Sequence, residues 1–447
     1  MKRRFHGDRQ YYEAFRSVNE NFRTSLPERN CRKARFGAGT GIASPWGSIR
    51  GEGSAFPLYT NLVRIGIDIR AIGDFGVGTY IRNVVRTLGK LDRHNDYLLI
   101  GEGDRIREMG DLPPNFHKIR FTKPVNSVAG WLGLREILSR HECDLVHIPS
   151  LFWMPQVRLC CPYVVTVHDV LDFMYRAKNG ANWQRTLHYY STQQVLKHAG
   201  RILAVSNFTK MDISRLFNIR PEKIEVIYNA IDDRFLQGHT SERERQFIAE
   251  RFQVNYPFLL YAGRIGPQKN LVRIIEAFSA LKTELGKDGK YPDLKLIIIG
   301  DEVSRHLDVR RTVVKSGVQN DVRFLGFVSI DVLRIFYDTA KIFVFPSLYE
   351  GFGLPPLEAM SHGTPVVTSN TSSLPEVVGK AAVMVNPENV FEIMRALHRV
   401  LIDQSLRDKL KDCGYEQVKR FSWESSVRRL LDVYSEVGSA KAAVAAG

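Results

Sequence analysis

Short apolar runs recur along the chain from residue 63 onward, and polar stretches with helical spacing separate them. Runs at 63–69, 97–100, 145–148, 163–167, 202–205 and 224–227 form one series; those at 258–262, 294–299, 322–325, 342–345, 365–368 and 382–385 form a second. A continuous apolar run is what a strand covered on both faces requires, and alternation with helices makes such a sheet parallel. The pattern therefore predicts an α/β protein with two doubly wound, Rossmann-like domains, over 62–238 and 239–420. The linker falls in the polar stretch 232–256, which holds Ser241-Glu242-Arg243-Glu244-Arg245. Phe421-Ser422-Trp423-Glu424, followed by Val427, Leu430, Leu431 and Tyr434, predicts a capped amphipathic helix over 421–437. Residues 438–447 are expected to fray.

Residues 1–61 break the pattern. They are basic and rich in Gly and Ser, lack sustained periodicity, and are expected to be mostly disordered, with a short helix over 11–21. The patterned sequence begins at Val63, so a true start near there is one hypothesis. Met1-Lys2-Arg3-Arg4 opens like a signal peptide but runs into charge with no apolar core, which argues against secretion.

With 447 residues, two cores are expected rather than one. No apolar run approaches the ~18 residues of a membrane span. The five cysteines, Cys31, Cys143, Cys160, Cys161 and Cys413, form no C-x-x-C pair, which points to a reduced, cytoplasmic setting. Zinc is not expected, because no Cys or His pair has ligand spacing, and no D-x-D triplet of the kind that binds a metal diphosphate is present, so no metal is expected. The net charge of +15 allows an anionic substrate, an anionic membrane surface or nucleic acid, or a basic surface with no partner. Nucleic acid is disfavoured, since the basic residues are scattered and no recognisable module holds them.

The most telling segment is Glu350-Gly351-Phe352-Gly353-Leu354-Pro355-Pro356-Leu357-Glu358, directly after the strand at 342–345. Gly and Pro predict a tight loop, and Pro355 suits a helix's first turn. Glu350 then lies before a helix N-terminus and Glu358 about one turn inside it, where N–H groups and the dipole favour phosphate. A nucleotide-sugar matches this set. Earlier in the same half, Arg264 and Lys269 follow the strand at 258–262 across a Gly266-Pro267 turn, where they can converge on one anion. Taken without context, they are also two ordinary surface cations.

The segment EGFGLPPLEAM, with His362-Gly363-Thr364-Pro365-Val366-Val367 after it, resembles the E-x7-E signature of the retaining nucleotide-sugar glycosyltransferases of the GT-B type. These form carbohydrate-active family four, also called glycosyltransferase group 1. Segments from about Leu62 to about Val437 agree with it. The resemblance implies two Rossmann-like domains facing a central cleft, with the closing helix crossing back to the first. It assigns Glu350 to the donor sugar hydroxyls and Glu358 to the ribose, with backbone N–H groups of Phe352, Gly353 and Leu354 facing phosphate. It makes Arg264 and Lys269 the pair that holds the diphosphate. Phe352 could equally be a packing residue.

In the first half, Gly73-Asp74-Phe75-Gly76-Val77-Gly78-Thr79-Tyr80 is expected as a loop before a helix at 81–88. Gly76 and Gly78 would let backbone approach a ligand, but Ile81 stands where a dinucleotide fingerprint needs its third Gly. The resemblance implies a glycine loop across the cleft from the donor diphosphate, near the acceptor. His168, at the carboxyl end of the strand 163–167, would lie close to the donor sugar and share the catalytic role with Glu350; Asp169 and His147 are weaker candidates. Ser206-Asn207-Phe208-Thr209 and Tyr228-Asn229-Ala230-Ile231-Asp232 match family segments too.

Together these imply metal-independent hexosyl transfer with retention of configuration, from a nucleotide-sugar to a glycan or lipid-linked acceptor in surface polysaccharide or glycolipid synthesis. GDP-mannose is the first expectation for the donor, because the VHDV, SNFT and SSLPE segments resemble bacterial mannosyltransferases. Peripheral contact with an anionic membrane would suit a lipid-linked acceptor. No cofactor is implied. A sugar-nucleotide epimerase or phosphorylase of related architecture, or a non-catalytic sugar-binding protein, stays open.

Overall fold

A computed structural model describes residues 62–445 apart from 103–104, 106–108, 152–157, 176–181, 237, 239 and 288. The expectations for residues 1–61 (disorder, a short helix, a start near Val63) lie outside the described residues. The chain divides into two compact units. The larger, Leu62–Leu171 with Asn182–Gly447, contains both sheets; the smaller joins Met1–Asn61 to Asp172–Ala181, of which only residues 172–175, in the short helix Leu171–Tyr175, are described.

The first sheet has seven strands: β1 (Arg64–Asp68), β2 (Asp96–Gly101), β3 (Phe116–Arg120), β4 (Leu145–Ile148), β5 (Tyr163–Val167), β6 (Arg201–Ala204) and β7 (Ile224–Val226), in the order β3-β2-β1-β4-β5-β6-β7. The second has six: β8 (Phe258–Ala262), β9 (Lys295–Ile299), β10 (Val322–Gly326), β11 (Ile342–Phe345), β12 (Val366–Ser369) and β13 (Ala382–Val385), in the order β10-β9-β8-β11-β12-β13. Every pairing is parallel. Both sheets are doubly wound, as the alternation predicts. Their order reverses between β1 and β4 and between β8 and β11, and ligands bind outside the strand carboxyl ends at such switch points. Edge strand β3 was not expected: of its five residues only Phe116 is buried, so no apolar run marks it.

The helix after residue 420 runs Trp423–Ala445, so the expected tail 438–447 is helical through Ala445. Its sequence past Gly438 is mostly alanine, the best helix former, and needs no tertiary contact to continue the spiral. Trp423, Val427, Leu430, Val433, Tyr434 and Val437 pack into the first domain's core with Ile65, Val84, Leu88 and Leu145. The Trp423 indole donates to the carbonyl of Ile231 at 3.0 Å. The helix therefore follows the second domain in sequence but belongs to the first in packing. Among the described residues no helix is long and apolar enough to cross a membrane.

Candidate active site

At the second switch point the loops after β8 and β11 are tied together. Leu348 donates its N–H to the Gln268 carbonyl at 2.8 Å, and the Asn270 side chain donates to the carbonyls of Pro346 (3.0 Å) and Pro387 (2.7 Å). Asn270 does this from a left-handed conformation, φ 64°, that Asn tolerates better than most residues. The clamp fixes the turn Pro267–Lys269 and so aims Lys269 at Glu350. The ammonium lies 2.6 and 2.8 Å from the two carboxylate oxygens, and the side chains are only 17% and 11% exposed. It also sits 5.3 Å from the Phe345 ring centroid. Arg264, by contrast, is 73% exposed, with Nε 3.8 Å from Asp301. Each of the two cations thus has a carboxylate partner.

The Glu350 loop is braced from below. Glu350 donates its N–H to Ser372 Oγ at 3.1 Å, and Ser373 Oγ donates to the carbonyls of Glu350 (2.9 Å) and Phe352 (2.6 Å). The next helix, Leu354–Ser361, starts from Gly353 at φ 114°, where a β-carbon would also meet Leu374 at 2.7 Å. No side chain caps this helix. Pro355 and Pro356 have no N–H, so the helix end offers few donors, chiefly Leu354 and the loop before it. The Phe352 side chain is buried among Tyr228 and Phe421, at 6.2 and 5.5 Å between centroids, which leaves its backbone as the part that can face a ligand.

Glu358 is half-buried and accepts from the Tyr337 hydroxyl at 2.9 Å. Burial pushes its carboxyl up to about 7 against the opposing effect of that hydrogen bond. Around neutral pH the group can accept or donate.

In the first domain the helix begins at Phe75 rather than near residue 81, so Gly76 and Gly78 sit in its first turn and not in a preceding loop. The turn starts early because Gly78 packs on backbone: a β-carbon there would be 2.1 Å from the Ile72 carbonyl oxygen. Gly76 faces open space, with nothing within 4 Å of its missing β-carbon. The two glycines therefore answer different demands, one packing and one access.

His168 follows β5, and its Nε2 lies 2.9 Å from the Pro149 carbonyl. Since a carbonyl only accepts, Nε2 carries the proton. Burial pushes the imidazole down to about 4, partly offset by that bond. His168 is consequently neutral at physiological pH, with Nδ1 as an acceptor. His147 does not face the cleft: it is fully buried on β4, between Tyr434 (2.6 Å) and Thr166 (2.8 Å). Asp169 is exposed and accepts from the Leu171 N–H at 2.9 Å.

The two domains meet through Ser206-Asn207-Phe208-Thr209, which the sequence marks only as a matching segment. Ser206 and Thr209 hydroxyls donate to the Gly351 carbonyl at 2.7 and 3.1 Å. Gly351 lies so close to His168 that a β-carbon would stand 1.8 Å from the His168 carbonyl oxygen. This contact brings His168 beside the Glu350 loop. Tyr349 donates to Asp212 at 2.7 Å, and Glu376 takes hydrogen bonds from Asn207, Phe208 and Tyr228. Sequence inspection did not single out Asp212 or Tyr349, and noted Glu376 only within SSLPE. An acidic residue that adds its hydrogen bonds to a helix start in the other domain leaves no local pattern.

Residues 242–417 match the model for glycosyl transferases group 1, and residues 76–235 that for glycosyltransferase family 4. O-antigen chain mannosyltransferase B of Escherichia coli is 34% identical over 277 residues, 61% of this chain and 69% of that protein. Serotype-specific mannosyltransferase WbdA of the same organism is 29% identical over 275 residues, but this match spans only 33% of WbdA. Among solved structures, Anabaena HepE in complex with UDP and glucose superposes with a TM-score of 0.65 at 18% identity, covering 84% of this chain and all of that one.

Proposed function

The chain belongs to the group 1 glycosyltransferases and has their two Rossmann-like domains, and from that premise we propose that it transfers mannose from GDP-mannose to a glycan or lipid-linked acceptor during surface polysaccharide synthesis, with retention of anomeric configuration. The observation that carries this is the Lys269–Glu350 pair at the second switch point, beside the start of helix Leu354–Ser361. A half-buried cation held by a carboxylate is poised for exchange. An arriving diphosphate takes over Lys269, and Glu350 is released to the sugar hydroxyls. Arg264 and the N–H groups of Phe352, Gly353 and Leu354 complete the phosphate cradle, and Glu358 receives the ribose.

Chemistry at the sugar then needs charge stabilisation more than a protein nucleophile. As the bond from C1 to phosphate lengthens, the ring gains oxocarbenium character and negative charge grows on the leaving diphosphate. Lys269 and Arg264 favour that state over the ground state without a metal ion. The departing phosphate, on the same face as the incoming acceptor, accepts the acceptor's proton. Neutral His168 offers Nδ1 to a sugar hydroxyl and helps orient C1. Mannose is the sugar named in the activities of the relatives from Escherichia coli, and the GDP moiety follows from the resemblance of the VHDV, SNFT and SSLPE segments to bacterial mannosyltransferases. The net charge of +15 supports an anionic donor and peripheral contact with acidic lipid around a lipid-linked acceptor.

The test is release of nucleoside diphosphate from GDP-, UDP-, ADP- and dTDP-sugars, with and without EDTA and a lipid-linked glycan extract, in wild type, Lys269→Ala and Glu350→Ala. GDP release from GDP-mannose that resists EDTA, depends on acceptor and drops at least about a hundredfold in both variants is expected. Release from a different donor would overturn the assignment of mannose. Turnover that persists in both variants would overturn the site, and acceptor-independent conversion of the donor would favour an epimerase. The anomeric configuration of the product, read by NMR, tests retention.

A further inference from the structure

The first domain contains a buried polar chain that the proposed transfer does not use. Tyr80 belongs to the helix Phe75–Leu91, Thr166 to β5, His147 to β4 and Tyr434 to the closing helix; they are 4%, 1%, 0% and 1% exposed. Tyr80 Oη lies 3.1 Å from Thr166 Oγ1, which lies 2.8 Å from His147 Nε2, and His147 Nδ1 lies 2.6 Å from Tyr434 Oη. A neutral imidazole has one donor and one acceptor nitrogen, and this one uses both. Burial and the neighbouring His168 hold His147 neutral by pushing it down to about 3.

The near end of this chain reaches His168. The Tyr80 ring stands edge-on to the His168 ring, with centroids 4.9 Å apart at 81°. Thr166 precedes His168 by two residues at the same strand end. On its other side His168 is pinned by Nε2–H to the Pro149 carbonyl, which leaves Nδ1 as the ring's acceptor. A buried polar network earns no stability over a well-packed apolar core, but once every member is satisfied it holds its members to one arrangement.

We propose that the chain Tyr434–His147–Thr166–Tyr80 is a positioning device for His168, fixing the ring so that Nδ1 meets a hydroxyl of the donor sugar. The inference rests on His168 lying at the donor sugar, as in the proposed function. It makes the closing helix part of the donor site, because Tyr434 anchors the far end. None of the four needs to touch the sugar. Tyr80 sets the ring plane through its edge, and Thr166 and His147 set Tyr80 through its hydroxyl.

Thr166→Val removes the central hydroxyl at nearly constant shape, and Tyr434→Phe removes only the far one. The tautomer and line width of His168 are read by NMR of protein labelled with 15N-histidine, with no substrate present. Turnover is read as GDP release from GDP-mannose in wild type, in each variant, and in each variant combined with His168→Ala. Expected are an Nε2-protonated, narrow His168 signal in wild type that broadens or mixes tautomers in both variants, and a fall in kcat of about tenfold with donor KM little changed. Combined with His168→Ala, neither substitution costs anything further. Equal additional losses on the His168→Ala background would show that the four act elsewhere and would overturn the proposal. So would an unchanged His168 signal and kcat in Tyr434→Phe, which tests the chain even if Thr166→Val does not fold. His168→Ala with undiminished turnover would instead remove the histidine from the reaction and take the proposal with it.

Discussion

Glu376 of the second domain accepts a hydrogen bond from the backbone N–H of Asn207 at 2.9 Å, so a carboxylate of one domain caps a helix of the other. The same carboxylate takes the Asn207 side chain at 2.6 Å, the Phe208 N–H at 3.3 Å and the Tyr228 hydroxyl at 2.7 Å. The helix Asn207–Phe217 already has Ser206 as its own cap on Thr209, so Glu376 satisfies the donors that Ser206 leaves. Glu376→Ala is expected to lower stability by about 1–2 kcal/mol and to speed hydrogen exchange at the Asn207 and Phe208 amides, while Glu376→Gln recovers part of both. Unchanged exchange at those two amides would show that the cap is not held in solution.

Gly351 and Gly76 should respond oppositely to the same small change. Gly351→Ala sets a methyl group 1.8 Å from the His168 carbonyl oxygen, and backbone cannot swing aside as a side chain does. We expect a loss of about 1–3 kcal/mol in stability and a marked fall in turnover, because the Glu350 loop must lift from His168. Gly76→Ala meets nothing within 4 Å and should fold like wild type. Paired thermal melts check both, and a Gly76→Ala melt as low as that of Gly351→Ala would contradict the contrast.

The pH dependence of Glu358 follows from its folded-state pKa of about 7, raised from 4.5 by burial. Between those values the folded chain keeps a proton that the unfolded chain has lost, so the group's contribution to stability falls as pH rises through about 4.5 to 7. Asp212, pushed up to about 6 from 3.8 by burial, slopes the same way over a lower window. Denaturant titrations at pH 5 and pH 8 should therefore show a smaller stability difference in Glu358→Gln than in wild type. With Glu358 receiving the ribose as proposed, binding of the proposed donor GDP-mannose should tighten from pH 6 to pH 8 in wild type only, since the ionised carboxylate is the form that accepts from a ribose hydroxyl.

Much of the fold was legible because strands such as β8 and β11 are apolar at every position and cannot be mistaken for surface. Edge strand β3 was missed because a strand with one covered residue carries no period to detect. The start of the Phe75–Leu91 helix was displaced for another reason: glycines usually signal a loop, whereas Gly78 is small to let the first turn rest on Ile72. Glu350 and Glu358 stand out in the sequence as candidates because one loop and one helix turn carry both. His147 looked similar to His168 from sequence, each ending an apolar run. Only the arrangement in space separates them, since the closing helix buries His147 and leaves His168 at the rim. The contacts of Glu376 and Asp212 were invisible, being 148 and 137 residues from their cross-domain partners Tyr228 and Tyr349.

The packing of Trp423, Val427, Leu430 and Tyr434 into the first domain has a bearing on how the protein is made. During synthesis the first domain emerges with its core still open along Ile65, Val84 and Leu88, and the residues that close it come only after the whole second domain. The domain begun first is thus finished last. Until then its unfinished face is a site for chaperones or for mispairing with another nascent chain, and a ribosome stalled within residues 258–420 holds a second domain in progress beside a first that cannot yet be complete.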